Sequence, residues 1–221
     1  MSGKDITGLK NEVVRYGRKI LESGLVVGSA GNISARVPED PNLIVVTPSQ
    51  VNYEDLTPDD LVVVDLSGKR IEGKRNPSIE IKMHLAIYRS REDVGAVIHT
   101  HPIFASAFAV ARKNIPPLVD EFLAHVGGEV KVAEYAMPGT EELANNAVAA
   151  LEDRNAVLLA NHGLLCCGKD LEEAFLVTQL VERAAMIYIL ASGIGDVHLL
   201  PEESIKFGTQ MYRLLRGTRR R

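Results

Sequence analysis

Apolar residues recur at helical spacing over residues 7–23, where Leu9, Val13, Val14, Ile20 and Leu21 share a stripe and Gly24 stands at the expected stop. The pattern then shortens. Residues 25–37 set a small-residue turn between two brief apolar runs, and compact runs follow at 43–46 and 61–65, which predicts strands joined by turns. Helical spacing returns at 78–89, 103–111, 140–150 and 171–191, separated by predicted strands at 94–99, 128–133 and 156–159. This alternation predicts one mixed α/β unit. The 171–190 stretch is apolar around much of its circumference, so it needs cover from the rest of the monomer or from an oligomer interface.

Composition narrows the setting. With 221 residues, 46% hydrophobic and 24% charged, the chain is long enough for one good core, and no repeat or linker divides it. We expect residues 1–216 to form one domain and 217–221 a disordered basic tail; the whole 216–221 end reads as a solvated terminus. A net charge of -4 argues against a nucleic-acid footprint. The only cysteines, Cys166 and Cys167, are adjacent, so they cannot bridge each other without severe strain and read as buried thiols in a reducing compartment. No apolar run approaches the roughly 20 residues of a membrane helix, and the first residues lack the apolar core of a signal peptide. The expectation is a cytoplasmic protein without membrane or nucleic-acid partners.

His99 and His101 close a predicted strand, and strand alternation points both imidazoles to one face, which suits a transition metal. A catalytic site needs a further donor, and His162 follows the apolar run 156–160 much as His101 follows 94–98. Glu80, after Pro77 and Ser78, is expected in the first turn of a helix, where it can bind metal or move protons. His84, His125 and His198 read as structural histidines. The turn from Gly28 to Asn32, the run Thr47-Pro48-Ser49-Gln50 and Ser78 at a helix start each offer donors to an anion.

Taken in order, Gly31-Asn32-Ile33-Ser34, Thr47-Pro48-Ser49, Asn76-Pro77-Ser78-Ile79-Glu80, His99-Thr100-His101-Pro102, Pro138-Gly139-Thr140 and Asn161-His162-Gly163 resemble the class II aldolase and adducin family. The likeness is greatest to its metal-dependent fuculose-phosphate aldolase branch. That resemblance implies a three-layer α/β/α domain with a mixed, mainly antiparallel sheet. It implies that His99, His101 and His162 hold one divalent metal, commonly zinc, with Glu80 as acid/base and as a ligand in the empty enzyme. Asn32, Ser49 and Ser78 would cradle phosphate. A homotetramer with the site near a subunit interface is also implied. Imidazole donors suit manganese, cobalt or iron as well as zinc.

The reaction implied is cleavage of a ketose 1-phosphate, like L-fuculose 1-phosphate or a 5-deoxypentulose 1-phosphate, into dihydroxyacetone phosphate and a small aldehyde. Breaking a carbon–carbon bond beside a ketone leaves an enediolate whose charge needs an electrophile, and a nearby carboxylate can return the proton. No lysine Schiff base is required. Sugar-acid phosphate decarboxylases, dehydratases and 4-epimerases share such a site. The epimerases resemble a pattern with Asp at the place of Glu80 and a longer stretch between the second and third histidines. An adducin-like module without chemistry has no need of the three imidazoles. Gln50 stands where the branch often has glycine and Ile79 where it often has serine. Glu121 falls where fuculose-phosphate aldolases use a neighbouring subunit's tyrosine, which leaves Asp120, Glu121 and Tyr212 as candidates for the second acid/base and Glu121 as a candidate substrate contact.

Overall fold

The computed structural model describes residues 3–217. Among them eight strands form one sheet in the order β4-β3-β2-β1-β5-β8-β7-β6. The central members are β1 (Asn32–Val37), β5 (Ala96–Thr100), β8 (Gly163–Gly168) and β7 (Ala156–Leu159). Outside them lie β2 (Asp40–Val46), β3 (Val62–Asp65) and β4 (Arg70–Glu72) on one edge and β6 (Val132–Ala133) on the other. Only the β6/β7 pair is parallel, so the sheet is mixed and mainly antiparallel, as expected.

Side-chain alternation divides the strands between two helical layers. On one face α2 (Ile81–Ser90) and α5 (Glu141–Leu151) pack Met83, Leu85, Ile87, Leu143 and Ala147 against Val46, Val64, Val97 and Leu165. On the other, α1 (Gly3–Glu22) covers Ile33, Val45 and Ile98. That same face carries α3 (Ile103–Ala111), α4 (Asp120–Val126) and α6 (Leu171–Ser192), packed over Leu158, Leu164 and Cys166. A last helix, α7 (Glu202–Leu215), lies against α4. The result is the three-layer α/β/α arrangement anticipated from the family resemblance.

Some boundaries depart from the periodicity. Residues 25–27 are not a strand: Leu25 and Val26 tuck under α1 while Val27 is 84% exposed, and the Leu25 carbonyl accepts from the His101 amide at 3.1 Å. The expected strand over 128–133 shrinks to β6, with Val130 bridging Ile115 instead. The helix anticipated from residue 78 starts at Ile81, because Ser78 to Glu80 form a turn. Glu80 is therefore the N-cap residue and not a first-turn residue.

The basic terminus is not wholly solvated. Arg216 is largely buried, pairing with Asp93 at 2.9 Å and with Glu173, whereas 218–221 of the expected tail lie outside the described residues. Helix α6 is long and apolar enough to cross a membrane by length and composition. Its buried face, including Val177, Val181 and Ala185, packs into the core beside the sheet, and Glu182 at mid-helix is engaged by α3, which marks it as a core helix. Cys166 and Cys167 are buried free thiols on opposite faces; burial pushes both above the ordinary thiol pKa, Cys167 to about 11.

Candidate active site

Two strand ends deliver the three predicted ligands to one point. His99 belongs to β5, and His101 stands just past its last residue. Pro102 then caps α3, whose Phe104 and Ala105 amides donate to the Glu182 carboxylate of α6 at 2.9 and 2.7 Å, so the segment after His101 is pinned to the core. His162 sits in the tight turn joining β7 to β8, following Asn161 at φ 52°. Two glycines make this convergence sterically feasible. A Cβ on Gly163 would fall 2.5 Å from the Thr100 carbonyl and 2.8 Å from the His101 ring, and one on Gly31 would fall 2.5 Å from the His99 carbonyl.

The His99 and His101 Nε2 atoms are 2.9 Å apart, and those of His99 and His162 are 3.2 Å apart. His99 donates from Nδ1 to the Leu164 carbonyl at 2.9 Å; a carbonyl can only accept, so Nδ1 carries the proton and Nε2 presents its lone pair. Burial, with His162 as a close neighbour, holds His99 well below the ordinary histidine pKa and lowers His101 too. Glu80, only 6% exposed, places Oε2 at 3.3 Å from His99 Nε2 and Oε1 at 3.3 Å from His162 Nε2. Oε1 has no hydrogen-bond partner among the described residues. Three converging ring nitrogens beside an orphaned buried carboxylate oxygen are a suitable donor set for a divalent metal.

Behind this cluster runs a buried chain of polar groups. Asn32 donates from Nδ2 to Glu80 Oε2 at 2.9 Å, and its Oδ1 lies 2.5 Å from His84 Nε2. The other ring nitrogen of His84 is 2.7 Å from Ser34 Oγ, which is 2.9 Å from the Tyr88 hydroxyl. Burial, reinforced by nearby His99, depresses the His84 pKa to about 3. His84, expected to be merely structural, therefore stands directly behind Asn32 and Glu80. The available signal was its position four residues after Glu80, and hence on Glu80's side of α2.

In front of the cluster a solvent-open cleft of about 270 Å³ is lined by Asn32, Ser49, Ser78, Glu80, His101 and His162, with Gln50 and Ile79 beside them. Its two loops are stitched together: the Ser49 amide donates to Asn76 and the Ser78 amide to Thr47, both at 3.1 Å. Ser49 Oγ donates to the Pro77 carbonyl at 3.0 Å, and Ser78 Oγ accepts from the Glu80 amide at 3.3 Å. Gln50 occupies a left-handed conformation, φ 59°, where glycine is at home, and Ile79 is 70% exposed at the rim.

Not every expected site residue comes here. Asp120 and Glu121 are exposed in the first turn of α4 and do not line the cleft of their own chain. Tyr212 does not line the cleft of its own chain either. Its ring is buried against Gly127, and its hydroxyl is held 2.9 Å from the Asp153 carbonyl and 2.8 Å from Asn155 Oδ1.

Residues 11–189 match the family described as the Class II Aldolase and Adducin N-terminal domain. The chain is 40% identical over 197 residues to the 5-deoxy-D-ribulose 1-phosphate aldolase of Bacillus thuringiensis serovar kurstaki, covering 89% of this chain and 92% of that protein. It is 35% identical over 198 residues to the L-fuculose phosphate aldolase of Escherichia coli K12, covering 89% and 90%. Among solved structures, an L-fuculose 1-phosphate aldolase superposes with a TM-score of 0.89 at 39% identity, over 96% of this chain and 98% of that one. The chain belongs to the class II aldolase and adducin family. Within it the chain is an aldolase, a carbon–carbon lyase of the divalent-metal-dependent kind.

Proposed function

We propose that this enzyme cleaves a ketose 1-phosphate to dihydroxyacetone phosphate and a small aldehyde, with His99, His101 and His162 holding the metal. Zinc is the metal we favour, with manganese, cobalt or iron able to use the same donors. The observation that carries the reading is the divided state of Glu80, with Oε2 held by Asn32 and Oε1 unpartnered beside His162. A carboxylate in that state can move between metal ligand and proton carrier.

When bound, the divalent ion supplies the electrophile that offsets enediolate charge. The protein's own groups do the rest. As the substrate C4 hydroxyl gives up its proton, the C3–C4 bond breaks and its electron pair stays on C3, releasing the aldehyde. Glu80 then delivers a proton to C3 of the enediolate, completing dihydroxyacetone phosphate. Asn32, Ser49 and Ser78 orient the phosphate in the cleft. The group that takes the C4 proton we assign to Asp120 or Glu121 of a neighbouring subunit, in a cytoplasmic homotetramer whose site lies near an interface. A deoxy sugar phosphate with a short aldehyde half suits the likeness to the 5-deoxy-D-ribulose 1-phosphate enzyme.

Incubation with dihydroxyacetone phosphate and a panel of short aldehydes tests the reaction directly. We expect a new carbon–carbon bond with at least one aldehyde. We also expect deuterium exchange at C3 of dihydroxyacetone phosphate that Glu80→Gln abolishes while leaving the fold intact. Exchange retained in Glu80→Gln would reassign the base. Carbon dioxide released from a sugar-acid phosphate, with no aldol product from any aldehyde, would make the enzyme a decarboxylase.

A further inference from the structure

We propose that His84, with Ser34 and Tyr88 behind it, is a positioning residue that works through Asn32 to fix which oxygen of Glu80 is held and which is left free. The argument is one of donor and acceptor polarity along the buried chain. An ionised carboxylate only accepts, so the atom of Asn32 at 2.9 Å from Glu80 Oε2 is its amide nitrogen, and its oxygen must face His84. That oxygen also only accepts, so His84 Nε2 carries the ring proton. Nδ1 of the neutral ring is then an acceptor, which makes Ser34 the donor at 2.7 Å and leaves Ser34 Oγ free to accept from the Tyr88 hydroxyl at 2.9 Å. Each link admits one direction. The charge on Glu80 therefore sets the orientation of four groups on β1 and α2, and those groups in turn resist any rotation of the Asn32 amide.

The elements carrying the chain explain its stiffness. Asn32 and Ser34 are on the same face of β1, and His84 and Tyr88 are one helical turn apart on α2, so two rigid elements interlock. His84 and Ser34 are fully buried, and Asn32 and Tyr88 nearly so. Without the His84 donor the Asn32 oxygen is left without its partner in this buried chain, and the amide is held at its nitrogen end alone. The contact on Oε2 would then be held less firmly and, with it, the distinction between the two carboxylate oxygens. His84 touches neither the cleft nor the three histidine nitrogens, and this role is separate from metal ligation.

The inference rests on Glu80 as the proton carrier, and the test distinguishes the two. We compare His84→Leu, which removes both ring nitrogens, with His84→Gln, which retains an amide donor, measuring zinc affinity by chelator competition as well as kinetics. For His84→Leu we expect kcat per bound metal and zinc affinity each to fall about 10- to 100-fold, the range for partners behind a ligand shell. His84→Gln should recover most of both losses. A His84→Leu enzyme with unchanged kcat per bound metal and unchanged zinc affinity overturns the proposal, whatever its melting temperature, as does a His84→Gln enzyme no better than Leu. Should His84→Leu fail to fold, Ser34→Ala decides: a several-fold lower kcat per bound metal supports the relay, and an unchanged kcat overturns it. Loss of exchange in Glu80→Gln beside an indifferent His84→Leu removes the relay alone; exchange retained in Glu80→Gln removes the reading beneath it.

Discussion

The ligand cluster and the cleft in front of it share residues yet are built on opposite terms. His99, His101 and His162 are held by strand ends, a tight hairpin and two sterically required glycines, and the carboxylate beside them is backed by a buried polar chain. Gln50, Ile79 and Glu121 sit on loops or at a helix start, exposed at least in part, with Glu121 outside the cleft of its own chain. The geometry of the histidine cluster is thus set by the fold itself, whereas rim positions such as Gln50 and Ile79 can change without disturbing the core. That difference teaches where specificity can vary within one scaffold: at the rim, and not at the metal.

The comparison is broken most severely by taking away a ligand. His162→Ala should lose stoichiometric metal and lower kcat/KM about a thousandfold or more, since the electrophile is worth several kcal/mol. Metal analysis of gently purified protein checks this, and wild-type metal content in the variant would sink the ligand assignment. Next in size is Gly163→Ala, whose new methyl group meets the Thr100 carbonyl and the His101 ring. We expect about 10- to 100-fold weaker metal binding with every ligand still present, read by chelator competition. Unaltered affinity would mean the hairpin is softer than its packing indicates.

Acid should distinguish the two regions as well. His84 and His99 are neutral in the fold, with pKa values depressed by burial, while in the unfolded chain they titrate near 6.5. Below about pH 6.5 the unfolded state therefore binds more protons, so stability is full above that value and is lost as pH falls through the window beneath it. Metal-free enzyme followed by thermal melting from pH 7 to 5 should lose up to about 1.4 kcal/mol per pH unit for each such histidine. A flat profile over that range would contradict their neutrality. The smallest structural effect is expected at the rim. Ile79→Ser should leave the melting temperature almost unchanged, within about 0.5 kcal/mol for an exposed substitution, while lowering KM for the phosphorylated substrate several-fold. A KM that does not move would place the phosphate elsewhere.

The ligand cluster was the more legible of the two regions in the sequence. The two-residue spacing of His99 and His101 speaks directly through strand geometry, and His162 follows a recognisable apolar strand. The fold class was legible through the same alternation, but several elements were not. Strand β8, Gly163–Gly168, carries Leu-Leu-Cys-Cys with no polar alternation because both of its faces are buried, so its period is hidden. The strand expected at 25–27 failed because Val27 turns outward and the Leu25 carbonyl is taken by His101, a tertiary bond invisible to local propensity. Glu80 was found but misplaced by a turn boundary. His84 was read as structural because a lone buried histidine carries no local sign of what it touches, and its partners on β1 lie about 50 residues away.

The register of the sheet gives the site one more role. Asn32, His99 and Leu165 form a single row across β1, β5 and β8. Sliding β5 by one residue against either neighbour would turn His99 to the opposite face and bring Ile98 or Thr100 into its place. A mispaired chain cannot bring the three imidazoles together, and we expect a divalent ion to favour the correctly paired chain during refolding. Refolding yields with and without a divalent ion would read this directly; equal yields would argue against it.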